Sequence, residues 1–158
     1  MTATIPTLPL VTLRHLFTIK MHVSGVFPYS TNAPAKQVGV VAGGHFTGAR
    51  LNGVILEGGS DWQTIIDDGT VLLDCRLVLR TDDGAQIAMR YQGMRAGSPE
   101  VLARIRAGDH VDPSEYYFRM TAQFETGSAE HSWLNRLVAV GTGKRLPEGP
   151  VYDVYEVL

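Results

Sequence analysis

Apolar and polar residues alternate with period two along most of this chain, in runs broken every ten or so residues by Gly, Asp-Gly or Pro. Successive side chains of a strand point to opposite faces, so this is how a series of antiparallel strands reads. The pattern predicts strands at Leu13 to Val23, Val40 to Leu51, Gly53 to Leu56, Gln63 to Ile66, Val71 to Thr81, Gln86 to Gly93, Tyr116 to Glu125, Leu134 to Thr142 and Val151 to Glu156. Asp67-Asp68-Gly69 and Asp82-Asp83-Gly84 are tight-turn sequences, because Asp-Gly readily supplies the positive backbone angles that such turns require. One segment breaks the alternation. Ser98-Pro99-Glu100 offers an N-cap, a proline at the first helical position and an acid in the first turn, and Gly108 follows as a C-cap. A short helix over Pro99 to Ala107 is predicted, and Pro28 to Lys36 reads as a loop.

Nine or ten strands, one helix and no alternation of strands with helices leave a sandwich or a barrel. The barrel is preferred, because a regular series of hairpins removes its own edges by closing. The expected fold is therefore all-β, a closed antiparallel β-barrel with one short helix, and barrels of about eight strands can hold one small ligand. A length of 158 residues fits one domain over 1–158. With 44% hydrophobic and 19% charged residues the chain falls in the globular range. The net charge of -2 and the dispersed basic residues give no footprint for nucleic acid or an anionic membrane. No apolar stretch approaches the roughly 20 residues of a membrane span, and MTATIPTLPLVTLRH lacks a basic region followed by an apolar core. A cytoplasmic location is expected. Cys75, the single cysteine, sits in the apolar alternation of a strand and reads as a buried, inert thiol.

Candidate chemistry concentrates in Gly43 to Gly69, where Asp61 stands beside Trp62. A carboxylate next to a large amphipathic ring at a strand end is a reasonable ligand-facing pair; the plainer alternative is an Asp closing a turn and a Trp anchoring the core. In Tyr116 to Glu125 one face carries Tyr116, Phe118, Met120, Ala122 and Phe124 and is core. The other carries Tyr117, Arg119, Thr121, Gln123 and Glu125, and Arg119 and Glu125, about 20 Å apart at strand rise, each need another partner. In the following predicted strand Trp133, Asn135, Leu137 and Ala139 share a face. His15 and His22, at odd spacing, are expected on opposite sides of their strand, and His45, His110 and His131 are isolated. No HxH or HExxH pair is offered to a metal, so none is expected. The glycine clusters do not precede helices in a dinucleotide-binding unit, and no GxSxG elbow is present. What remains is acid–base and electrostatic work by carboxylates, Arg, Tyr and Lys20 or His22, without a cofactor.

Gly43-Gly44-His45-Phe46-Thr47-Gly48, Gly58-Gly59-Ser60-Asp61-Trp62, Arg80-Thr81-Asp82-Asp83-Gly84, Tyr117-Phe118-Arg119, Phe124-Glu125-Thr126-Gly127, Trp133-Leu134-Asn135 and Gly141-Thr142-Gly143 occur in this order. Together they resemble the domain-of-unknown-function family 3237, small β-barrel proteins of bacteria and fungi, over nearly the whole chain. Ser60 stands where that family usually has Ala, and His131 where it often has Tyr. The resemblance implies a closed barrel similar to lipocalins and to allene-oxide-cyclase-like barrels. It implies little about activity, although some related barrels catalyse cofactor-free cyclisation or isomerisation of bound natural products.

The expected function is a cofactor-independent lyase or isomerase acting on a small carbonyl-containing or aromatic metabolite. Asp61 or Glu125 would be the general acid or base, and Arg119 or Tyr117 would stabilise an enolate-like oxygen. Trp62 and Trp133 would wall the pocket and Asn135 would orient the substrate, all converging on one concavity. The alternatives are a non-catalytic small-molecule-binding barrel and a structural subunit with a filled lumen. The partner expected is a small molecule rather than nucleic acid or membrane, with a homodimer left open.

Overall fold

The structure, a computed structural model, describes residues 5–158. It contains nine strands: β1 Leu13–Ser30, β2 Ala35–Thr47, β3 Asn52–Ile55, β4 Gly59–Ile65, β5 Val71–Thr81, β6 Gln86–Ala96, β7 Tyr117–Glu125, β8 Ala139–Leu146 and β9 Gly149–Val157. Helix α1, Pro99–Arg106, lies between β6 and β7, and short 3-10 turns occupy Pro113–Glu115 and Ser132–Arg136. The nine strands form one antiparallel sheet, whose pairings run β1, β9, β8, β7, β6, β5 and reach β2 through both β3 and β4. Because β2 also pairs with β1, the ladder returns to its first strand. None of the helices among the described residues is long and apolar enough to cross a membrane.

Both Asp-Gly turns form. Gly69 and Gly84 adopt φ of 84° and 89°, angles that cost glycine nothing and an L side chain a good deal. The helix starts as the cap signals indicate: the Ser98 side chain accepts from the Val101 N–H and Pro99 leads the first turn. It ends at Arg106, one residue earlier than expected, with Ala107 as cap and Gly108 at φ 85°.

Three expectations of local structure are corrected. The predicted loop from Pro28 to Lys36 narrows to residues 31–34, since β1 runs on to Ser30 and pairs with β2 from Lys36. The predicted strand from Leu134 begins only at Ala139. The Asn135 side chain accepts from the Thr126 N–H at 2.8 Å and donates to the Thr126 carbonyl at 2.9 Å. It thus satisfies the backbone groups that a strand neighbour would have paired, and the segment turns instead. His15 and His22 do not face opposite sides; both are exposed. The β1–β9 register slips between His15 and Phe17, so Leu16 is an extra residue and inverts the parity beyond it.

Inside the ring the two ends differ. At the end bearing the β5–β6 turn, Phe17 packs on Phe46 and Phe124 at ring-centroid distances of 5.4 and 6.0 Å, with Leu51, Leu79, Ile87 and Met89 around them, all buried. The end bearing α1 and the β8–β9 turn holds the buried Asp61 and Arg95.

Candidate functional site

The register brings one row of inward residues together across five strands. Gly39, Asp61, Cys75, Tyr91 and Ala122 are successive cross-strand partners on β2, β4, β5, β6 and β7. Such neighbours hold their Cβ atoms about 4.5–5.5 Å apart. Small residues at both ends of the row leave space above it, and a cavity of about 470 Å³ opens there. Its wall includes Asp61, Gln63, Tyr91, Arg95, Arg145 and Tyr152, and α1 covers its mouth with Leu102 and Ile105. The volume lies within the range of small-molecule sites, and a mostly apolar wall with a few polar groups is the usual lining of one.

Asp61 is 9% exposed. One carboxylate oxygen accepts from Gln63 Nε2 at 2.7 Å and the other from the Asp74 N–H at 3.2 Å. Gln37 in turn donates to Gln63 Oε1 at 2.7 Å. Burial nonetheless raises the Asp61 pKa above its ordinary value; the two hydrogen bonds and the positive charge of Arg95 oppose that rise without cancelling it. Desolvation thus outweighs charge attraction at this carboxylate.

The neighbours are equally perturbed. Tyr91 and Tyr152 are fully buried, stack edge to face at 5.4 Å, and hold their phenolic protons well beyond the ordinary range because burial disfavours the phenolate. They are therefore neutral O–H donors. Cys75 is buried, and desolvation and the Asp61 charge push its pKa upward, which makes it an inert thiol as expected. Arg95 is 8% exposed, its guanidinium lies 5.4 Å from the Phe118 ring, and its Nε is buried without a hydrogen-bond partner. Burial and then Arg145 lower the Arg95 pKa, but a guanidinium stays charged in proteins. Arg145 donates from Nη1 to the Leu146 carbonyl, and its backbone N–H reaches the Tyr116 hydroxyl at 2.9 Å.

Of the residues proposed from sequence, Asp61 alone lines this cavity. Adjacent strand residues face opposite sides, so Trp62 points outward, where it is 52% exposed, packs against Tyr29 at 5.6 Å and donates to the Ser60 hydroxyl. Tyr117 and Arg119 lie on the outer face of β7, with the Arg119 guanidinium 5.1 Å from the Tyr117 ring. Glu125 and Asn135 border a separate outer concavity at the opposite end. Trp133 lies at that end too, half-buried beneath the Arg50 guanidinium at 4.1 Å. The convergence of these residues on one concavity is therefore corrected. Arg95, Arg145, Tyr91, Tyr152 and Gln63 take the places beside Asp61.

His131 is not isolated either. Its Nε2 lies 2.9 Å from Asp83, and ligand atoms of Asp83, Glu130 and His131 fall within 4.8 Å of one another, far from the cavity. Hydrogen bonds from Thr81 and His131 hold the Asp83 pKa down to about 2.

A pH signature follows from Asp61. Its raised folded-state pKa means that the folded protein binds this proton more tightly than the unfolded chain does. Its contribution to stability is therefore present at low pH and is lost as pH rises from the ordinary value of 3.8 through the folded value. Subtracting the urea-unfolding free energies of Asp61→Asn from those of the parent across that window should leave a difference that falls with rising pH. A flat or rising difference would show that the carboxylate is not desolvated.

Residues 11–157 match the model of a family described as "Protein of unknown function (DUF3237)". The chain is 32% identical to the UPF0311 protein of Rhodopseudomonas palustris over 95% of its own length and 99% of that protein's. The crystal structure of a β-barrel-like protein from Acinetobacter baumannii superposes with a TM-score of 0.84 at 38% identity, covering 96% of this chain and 99% of that one. The hydroalkoxylation enzyme phnH of Penicillium herquei is 27% identical over 92% of this chain and 83% of its own length. An enzyme structure from that fungus shares the fold, with a TM-score of 0.72 at 23% identity over 99% of both chains.

Proposed function

Because this chain belongs to the DUF3237 family of proteins of unknown function, the reading must come from the site, and we propose an acid–base lyase or isomerase acting on a small molecule within a closed barrel. The observation that carries it is one cavity joining a carboxylate of raised pKa to two guanidinium groups and two un-ionised phenols. A raised carboxyl pKa makes the carboxylate a stronger base than an exposed Asp, and a developing oxyanion needs preorganised donors.

The relative that acts in hydroalkoxylation, the addition of an alcohol O–H across a C=C bond, supports this class of chemistry. Here Asp61 would take the hydroxyl proton as the oxygen bonds to an alkene carbon conjugated with a carbonyl. The alkene π electrons move onto the carbonyl oxygen, giving an enolate facing Arg95, Arg145 and the phenols. The carboxyl proton then returns to the enolate carbon. Every atom of the substrate is retained in the product, and run backwards the same steps are an elimination.

A second reading is favoured by the hydrogen bond held on each Asp61 oxygen, which also suits a fixed recognition element in a non-catalytic binding barrel. The two readings are separated by incubating the protein with hydroxyaryl enones that can cyclise internally and following the products by chromatography and mass. Conversion at the parent mass, absent with heat-denatured protein, is the expected result. Thermal stabilisation by these compounds with none converted would leave the binding barrel.

A further inference from the structure

Arg95 is the least explained residue of the interior. It shares the inward parity of Ile87, Met89 and Tyr91 on β6, where an apolar residue would pack. Its Nε is buried without a partner, and its guanidinium is repelled by that of Arg145. Asp61 does not resolve this: its oxygens accept from Gln63 and from the Asp74 N–H, and among the described residues Arg95 and Arg145 form no ion pair. Arg106, exposed on α1, adds a third guanidinium at the rim, and Asp61 is the carboxylate of the lining. An interior this positive, with an unused N–H inside it, is complementary to a bound anion. Buried donors left unpaired are costly, and the planar guanidinium fork matches a carboxylate in shape and charge.

We propose that the cavity takes a substrate bearing a carboxylate, seated on Arg95 and Arg145, with an unsaturated or aromatic body against Tyr91, Phe118 and Tyr152. This rests on the acid–base reading for the chemistry, though not for the binding. The three rings supply the apolar part: Phe118 and Tyr152 lie 5.0 Å apart, edge to face, on the same wall. An anion seated there would also disfavour a second negative charge nearby, making Asp61 the stronger base.

The test is binding without turnover. Calorimetric titration with 2-naphthoate and with its neutral counterpart 2-naphthamide compares the same two-ring body with and without the charge. The parent is expected to bind the acid about 10-fold or more tightly than the amide, as a charge-assisted fork should allow. Arg95→Met should abolish that preference, and Arg95→Lys, which keeps the charge but loses the fork, should fall between. Circular dichroism and thermal melting establish that each variant is folded; should Arg95→Met not fold, Arg95→Lys and Arg145→Met carry the comparison. Equal binding of acid and amide, binding of neither, or a preference that survives in the folded arginine variants overturns the proposal. The enone conversion experiment stands apart from these titrations, so either reading can fail while the other holds.

Discussion

Asp61→Asn is expected to lower turnover about 100-fold or more, the scale of a general-base contribution, without weakening substrate binding. The substitution keeps the size and planarity of the side chain and removes its charge and its capacity to take a proton. Its effect should therefore appear in kcat and kcat/KM alike, as for a group that acts in the transition state alone. The expectation follows from burial: desolvation raises the carboxyl pKa against the pull of Arg95, bringing it closer to neutrality than an exposed Asp would be. Arg95→Met should behave differently, weakening binding as well as rate, because its contact with an anionic substrate exists before the reaction begins. Steady-state kinetics on any substrate found converts both statements into numbers, and parental turnover in Asp61→Asn would remove Asp61 from the role of base.

The largest expected loss of stability lies at the other end of the molecule. Phe17 is 0% exposed and packs against Phe46 and Phe124, so Phe17→Ala should cost about 3–5 kcal/mol, the usual toll of deleting a buried ring. That is a large share of the roughly 5–15 kcal/mol that holds a domain folded. The urea midpoint should drop while the slope of the transition is retained. Binding of 2-naphthoate below the transition should be unaffected, because this cluster and the cavity occupy opposite ends of the interior. A loss below about 1 kcal/mol would show that the aromatic cluster does not anchor the sheet.

Much of this layout is legible in the sequence, and the failures have local causes. The alternation of Tyr116, Phe118, Met120, Ala122 and Phe124 assigns the core face of β7 correctly, because a regular ladder preserves period two. The same rule fails in β1, where the extra residue Leu16 shifts the register without any glycine or proline to announce it. Asp61 is legible as a carboxylate beside a large ring at a strand end. Pairing it with Trp62 assumes that the strand starts only at Gln63, whereas β4 already runs from Gly59 and strand geometry separates the two side chains. Arg95 carried a signal that ending β6 at Gly93 concealed: two residues further along the inward parity stands a charged group. Arg145 carries no such signal, since β7 separates β8 from β6 in the sheet and only the inward curve of the ring brings the two arginines to one cavity.

The amides of Gln37 and Gln63 give Asp61 an influence beyond its own contacts. Both donate toward the carboxylate, so the two hydrogen bonds point one way along a short wire from β2 into the cavity. Each amide carries a donor and an acceptor on one carbon, and a half-turn about its last bond exchanges them. An ionised Asp61 can only accept, which locks the wire in the direction seen. Once protonated, the same carboxyl group can donate, and reversing both amides then restores every bond with the opposite sense. A proton captured in the middle of the molecule is thereby written as the orientation of a side chain on the neighbouring strand. Nitrogen-15 spectra of the Gln37 and Gln63 side-chain amides would thus follow the charge of the carboxylate from outside it.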